Sequence, residues 1–143
     1  VSTYRVDVSR RRIAAAGVLH GTAPPGYAAA VAHYVEVVSA DADAVVEMYQ
    51  RTHDVSFGAA DPDLGQARVA SLPDGTLVGI RKPLADHEQP IVRVYLAVAD
   101  IEHAVTHAVG QGAVVAYPPT RQGQRGTFAI VIHGGVQHGF WQN

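Results

Sequence analysis

The chain carries eight histidines and no cysteine. Without thiols it has no disulfide, no thiolate nucleophile and no Cys-ligated zinc or iron–sulfur centre. His103 and His107 are one helical turn apart, a spacing that can chelate a metal. That pair, however, lies opposite the apolar stripe of its segment, and no acidic general base stands beside it in the zinc-protease pattern. It reads as a surface pair. His20, His53, His87 and His133 fall in turns, loops or the N-terminal segment, where solvated or locally hydrogen-bonded histidine is the ordinary state. Neither a nucleophile elbow nor a phosphate-loop sequence occurs, so serine-hydrolase and P-loop chemistry find no support. The other candidate groups sit on segments of strand character, so what they can do depends on how the sheet aims them.

The composition narrows the partners. Net charge is −2 and the pI is near 6.5, so no basic field draws nucleic acid or an anionic membrane. The run Arg10-Arg11-Arg12 is too short to change this and reads as a solvated face. No apolar stretch reaches the ~18 residues of a membrane span, and no signal-peptide pattern opens the chain, so a cytoplasmic location is expected. With 143 residues, 48% of them hydrophobic, the chain has room for one domain with a core.

An internal repeat organises that domain. At an offset of 60 residues the segment from His33 falls on the segment from Arg93 without a gap. Val38 meets Val98, Ala44-Val45 meets Ala104-Val105, Val55 meets Val115, Gly75 meets Gly135 and Gly79 meets Gly139. Each copy predicts the same series of elements. A strand comes first (His33 to Val38; Arg93 to Val98), rich in β-branched and aromatic residues. Then comes a helix, capped by Ser39 or Asp41 in one copy and by Asp100 in the other. Its buried stripe is expected to be Ala44, Val45, Met48 and Tyr49 in the first copy, and Ile101, Ala104, Val105, Ala108 and Val109 in the second. A short strand follows (Val55 to Phe57; Val115 to Tyr117). Last is a hairpin turning at Pro73-Asp74-Gly75 or His133-Gly134-Gly135. The units are therefore residues 31–82 and 92–142 of one domain, 31–143, joined by a short polar linker. Residues 1–30 form an N-terminal arm outside the repeat, expected either to attach loosely or to pack on a partner subunit.

A repeated βαβββ unit of this length resembles the vicinal oxygen chelate superfamily of glyoxalases, bleomycin-resistance proteins and extradiol dioxygenases. The run Tyr95 to Val105, the segment Ala113 to Pro119 and the closing Gly134 to Gln142 carry that resemblance in sequence. It implies an α+β fold: paired βαβββ units forming a curved, mixed, largely antiparallel sheet with helices on the convex side. In metal-using members four side chains of the sheet converge on a divalent ion. Those four columns here are His33, Gly79, Arg93 and Gly139, of which only His33 can ligate, so no metal and no other cofactor are expected.

The resemblance also implies that these columns face the concave side. Strand alternation then places His33, Val35 and Val37 there, with Leu77, Arg81, Arg93, Tyr95, Ala97, Gln137 and Trp141. Glu36 and His138 are expected on the opposite face, under the helices, where they could pair. The two glycines leave extra volume in the cleft. A metal-independent protein that binds a small organic molecule is the leading expectation, its ligand anionic or carbonyl-rich and contacted by Arg81, Arg93, Tyr95, Gln137 and Trp141. The alternatives are a metal-free isomerase or lyase with His33 as general base and Arg93 steadying a developing oxyanion, or a metal-dependent enzyme with atypical ligands. A symmetric homodimer is expected.

Overall fold

The computed structural model describes residues 30–143; residues 1–29 of the N-terminal arm, and with them His20 and the Arg10–Arg12 run, lie outside the described residues. The elements follow the repeat. The first unit contains β1 (Ala32–Val38), α1 (Ala42–His53), a short 3-10 turn (Pro62–Leu64), β2 (Arg68–Ser71) and β3 (Leu77–Arg81). The second contains β4 (Ile91–Ala97), α2 (Ile101–Gly110), β5 (Val114–Arg121), β6 (Thr127–His133) and β7 (Val136–Gln142). All seven strands join one mixed sheet in the order β2-β3-β1-β4-β7-β6-β5. β1 and β4 pair antiparallel at its centre, and each first strand runs parallel to the last strand of its own unit. Among the described residues no helix is long and apolar enough to cross a membrane.

The local chemistry accounts for the element ends. Asp100 caps α2 by accepting a hydrogen bond from the His103 amide at 3.0 Å. Asp41 occupies the N-cap of α1 without a side-chain capping bond. Asp74 closes the first hairpin by accepting from the Thr76 amide at 2.9 Å, while Gly75 supplies the positive φ the turn needs. Both helices pack on one face of the sheet. Ala42 and Val46 of α1 join Val37, Phe57, Val78 and Ile80; Ile101 and Val105 of α2 join Ala113, Ala129 and Val131. The stripe of α1 is thus rotated from the one expected: Met48 is exposed and Ala42 and Val46 take the inner places.

One strand of the repeat is missing. Val55 to Phe57 is not extended into the sheet; a single backbone bond, Gly58 N–H to Val69 O at 3.0 Å, ties its end to β2. The guanidinium of Arg68 takes the Phe57 and Gly58 carbonyls instead of a partner strand, and Pro62 starts the 3-10 turn soon after. The counterpart in the second unit is a full strand, β5, with two register shifts against β6.

Candidate functional site

On the sheet face away from the helices lies a cavity of about 450 Å³. Its floor is built from β1, β3, β4, β6 and β7, and its wall includes Leu84 and Glu88 of the linker between the units. β3, β4 and β7 aim their side chains as alternation requires, with Arg81, Arg93, Tyr95, Gln137 and Trp141 all lining it.

β1 does not. Tyr34 pairs with Tyr95, and Glu36 with Arg93, but Ala32 pairs with Leu96, so β1 holds one extra residue, His33, against β4. Such a bulge puts two successive side chains on one face and inverts the alternation beyond it. The rings of His33 and Tyr34 accordingly both approach Trp141, at 5.2 and 5.7 Å between centroids. Beyond the bulge Glu36 enters the cavity, while Val35 and Val37 turn to the helix side and pack around α1. The expectation that Val35 and Val37 line the cleft and Glu36 lies under the helices is therefore reversed. His138 stays on the other face, exposed, with its Nε2 3.1 Å from the His133 carbonyl; it does not meet Glu36.

Glu36 is 8% exposed and organises the floor. Its Oε2 accepts from Arg81 Nε at 3.0 Å. Its Oε1 accepts from Arg93 Nη1 and from the Tyr95 hydroxyl, the latter at 3.1 Å. Arg81 also forks onto Glu88, at 2.6 and 3.1 Å, and donates to the Lys82 carbonyl. That hydrogen bonding holds the Glu88 carboxyl below its ordinary pKa. Arg93 donates from Nε to Gln137 Oε1 at 2.9 Å, and its Nη2 makes no hydrogen bond to any described residue. Two carboxylates thus balance two guanidiniums, and the floor is electrically neutral.

Above this network stands an aromatic wall. Tyr34 and Tyr95 lie 5.8 Å apart, and Tyr95 meets Trp141 edge-on at 5.8 Å and Phe128 at 6.2 Å. Since Tyr95 and Trp141 touch each other, they form one continuous surface. The volume expected over the two glycines is filled. A Cβ on Gly79 would meet the Tyr34 hydroxyl at 1.8 Å, and one on Gly139 would meet the Tyr95 ring at 2.5 Å. Each tyrosine covers a place where the metal-using superfamily projects a carboxylate.

The residues at these four columns do not fit a metal. Two are glycines under aromatic rings, one is an arginine, and the nearby carboxylate of Glu36 has both oxygens engaged by cations. Among the described residues no group of three or more His, Asp or Glu side chains could hold an ion. His103 and His107 are both exposed on α2, their rings 6.4 Å apart. His33 does not line the cavity; burial first, then the charge of Arg125, lowers its pKa.

Sequence spacing missed Glu36, Tyr34 and Glu88 as parts of the site. The signal for Glu36 was present: a charge in a strand otherwise apolar and aromatic, which burial permits only when it is paired.

A curved α+β sheet with a concave cleft and helices behind it is the glyoxalase-type architecture. No protein-family model matches the chain, and no curated protein matches it. Solved structures do. A hypothetical protein from Bacillus halodurans superposes with a TM-score of 0.66 at 13% identity, over 81% of this chain and 96% of that one. Methylmalonyl-CoA epimerase from Mycobacterium tuberculosis gives a TM-score of 0.62 at 18% identity, over 78% and 86%. A methylmalonyl-CoA epimerase in complex with methylmalonyl-CoA and NH4+ gives 0.58 at 17%, over 81% and 96%. The epimerases are members of the vicinal oxygen chelate superfamily, and at these identities the likeness is one of fold.

Proposed function

We propose that the chain binds a compact small organic molecule in the concave cleft and does so without a metal. The observation that carries this is the cavity of about 450 Å³, aromatic on one side and floored by a fully paired Glu–Arg network. Apolar walls with a few placed polar groups are the usual make-up of a small-molecule site. The ligand is oxygen-bearing, anionic or carbonyl-rich. Arg93 offers it the Nη2 that no described residue engages, Gln137 orients that guanidinium, and Tyr95 and Trp141 give it a surface to lie on. Arg81 has a different part: saturated by Glu36 and Glu88, it ties the linker to the floor and sets the shape of the cleft. Catalysis with His33 as base draws little support from a histidine packed on Trp141 outside the cavity lining.

The test is native mass spectrometry of the purified protein, with elemental analysis of the same sample. A bound organic species, retained after chelator treatment and displaced on adding a tighter small molecule, is expected. A stoichiometric divalent metal whose removal abolishes that binding would refute the metal-free reading.

A further inference from the structure

Two loops that belong to opposite edges of the sheet meet over the aromatic end of the cleft. β2 and β5 are those edges, and in a flat sheet the spacing of ~4.8 Å per strand would hold them roughly 30 Å apart. Yet Arg125, at the tip of the β5–β6 hairpin, donates from Nε and Nη2 to Oδ2 of Asp61, shortly before β2, at 3.0 and 2.6 Å. Beside that pair the Gln124 amide lies 3.5 Å from the Asp63 carboxylate, and a Cβ on Gly123 would fall on the same carboxylate. Among the described residues no other hydrogen bond joins the two loops. The sheet stays open, but its curl is bridged at this end by one ion pair.

Under the bridge lie groups that make the cleft aromatic. Leu64, from the 3-10 turn that follows Asp61, is buried in one cluster with Tyr34, Phe128 and Trp141. Leu64 and Gly65 line the cavity from the first unit, and Gln122 lines it from the hairpin. Trp141 is 4% exposed and its indole Nε1 donates to the Arg125 carbonyl at 3.1 Å, so the hairpin tip lies directly on the ring. Little else holds the tip. It contains Gly123 and Gly126, both at positive φ, and it stands on β5, an edge strand exposed along nearly its whole length. Segments of that kind open more readily than the centre of a sheet. The ion pair itself has side chains 39% and 18% exposed, and a pair so placed is weak and screened by salt.

We infer that the hairpin tip, residues 122–126, is a flap over the aromatic end of the cleft, latched by Arg125 to Asp61 and released when that pair is screened or broken. Its opening uncovers Trp141 and widens the cavity between Leu64 and Gln122. Only what the flap admits rests on the cleft being a small-molecule site; the movement itself is measured without a ligand. The pairs of the floor do not share the response, because the side chains of Glu36, Arg81 and Arg93 are buried and salt screens them far less.

Trp141 is the chain's single tryptophan, so quenching of its fluorescence by acrylamide, a small uncharged solute, reads access at the flap. The screening length falls from ~30 Å at ~0.01 M salt to ~3 Å at ~1 M. Over that range the quenching constant of the wild type should rise about two- to fivefold, the worth of one exposed ion pair. Asp61→Asn keeps the oxygen that caps the 3-10 turn, and Arg125→Ala keeps the carbonyl that Trp141 uses. Each should show the high-salt value already at low salt, and the two together should go no further. Asp63→Cys/Gly123→Cys, in a chain with no other cysteine, places a disulfide where the loops touch. Oxidised, that protein should be quenched less than the wild type at any salt, and reduction should restore the salt response. Low-salt quenching of Asp61→Asn equal to that of the wild type would overturn the inference, as would an oxidised pair as open to acrylamide as the wild type at high salt. Either result leaves the cleft reading standing. A flap that opens as described, on a protein that binds no organic molecule, would instead refute the cleft reading alone.

Discussion

Removing Glu36 should be far more damaging than removing either arginine that holds it, because of what each change leaves behind. Glu36→Ala strands two guanidiniums in a floor where their side chains are 6% and 11% exposed. Arg81 keeps Glu88, but among the described residues Arg93 keeps only the Gln137 amide and the Tyr95 hydroxyl, neither of them charged. Breaking a buried ion pair from one side typically costs ~3–5 kcal/mol. Arg93→Ala is milder: Glu36 retains Arg81 at 3.0 Å and Tyr95 at 3.1 Å, so the loss approaches that of one charged hydrogen bond, ~1.5–3 kcal/mol. The double variant Glu36→Ala/Arg93→Ala should cost less than the sum of the two, since the second change removes the charge that the first had orphaned. Urea unfolding followed by Trp141 fluorescence measures all three. For a chain near this length each kcal/mol moves the melting midpoint by ~2–4 °C, so Glu36→Ala should melt roughly 6–20 °C below the wild type. An additive cycle, or a Glu36→Ala protein within 1 °C of the wild type on the same ~2–4 °C scale, would mean that the network is not formed in solution.

Gly79→Ala places a methyl on the Tyr34 hydroxyl, at 1.8 Å before relaxation, and should destabilise by ~1–3 kcal/mol; Tyr34→Leu in the same chain should recover part of that loss in urea unfolding. His33 has a lowered folded-state pKa, so the unfolded chain takes the proton more readily. Stability should therefore be full above the ordinary value of 6.5 and fall as pH drops through the window below it, and His33→Gln should flatten that window in pH-dependent unfolding curves. On the helix side of β4, Val92, Val94, Leu96 and Val136 are exposed in a patch without a formally charged side chain. Because such a patch meets its own copy without like-charge repulsion, we expect a twofold dimer through it, with sedimentation giving twice 15.1 kDa and Val94→Glu giving the monomer.

The fold was legible because a duplicated unit repeats its pattern in register, and the strand, helix and hairpin limits fell within a few residues of their places. Two local departures were not. The strand expected at Val55 to Phe57 has the right residues, but Arg68 competes for its carbonyls and its end makes one ladder bond only. The bulge at His33 has no glycine to announce it, yet it reverses every side chain that follows in β1. For that reason the strands free of bulges delivered their side chains to the expected face, and β1 delivered a different set. Arg81, Arg93, Tyr95, Gln137 and Trp141 stand together in the cavity. What spacing could not convey is that the arginines meet carboxylates there, since both carboxylates come from segments, β1 beyond the bulge and the linker, whose direction no periodicity sets.

The bulge, the two tyrosines and the ion network are physically one feature. In a regular β1, alternation from His33 would send Tyr34 and Glu36 toward the helices, and Val35 and Val37 into the cleft. Gly79 would then lie under open space, and Arg81 and Arg93 would face each other across a floor without a carboxylate between them. Arg93 would be free to take an anion, while Arg81 would keep Glu88 of the linker. One inserted residue instead brings a phenol over Gly79 and a carboxylate between the guanidiniums. It exchanges a cationic, roomy pocket for a neutral, aromatic one. The charge balance of the floor and the covering of Gly79 thus have the same origin in the chain.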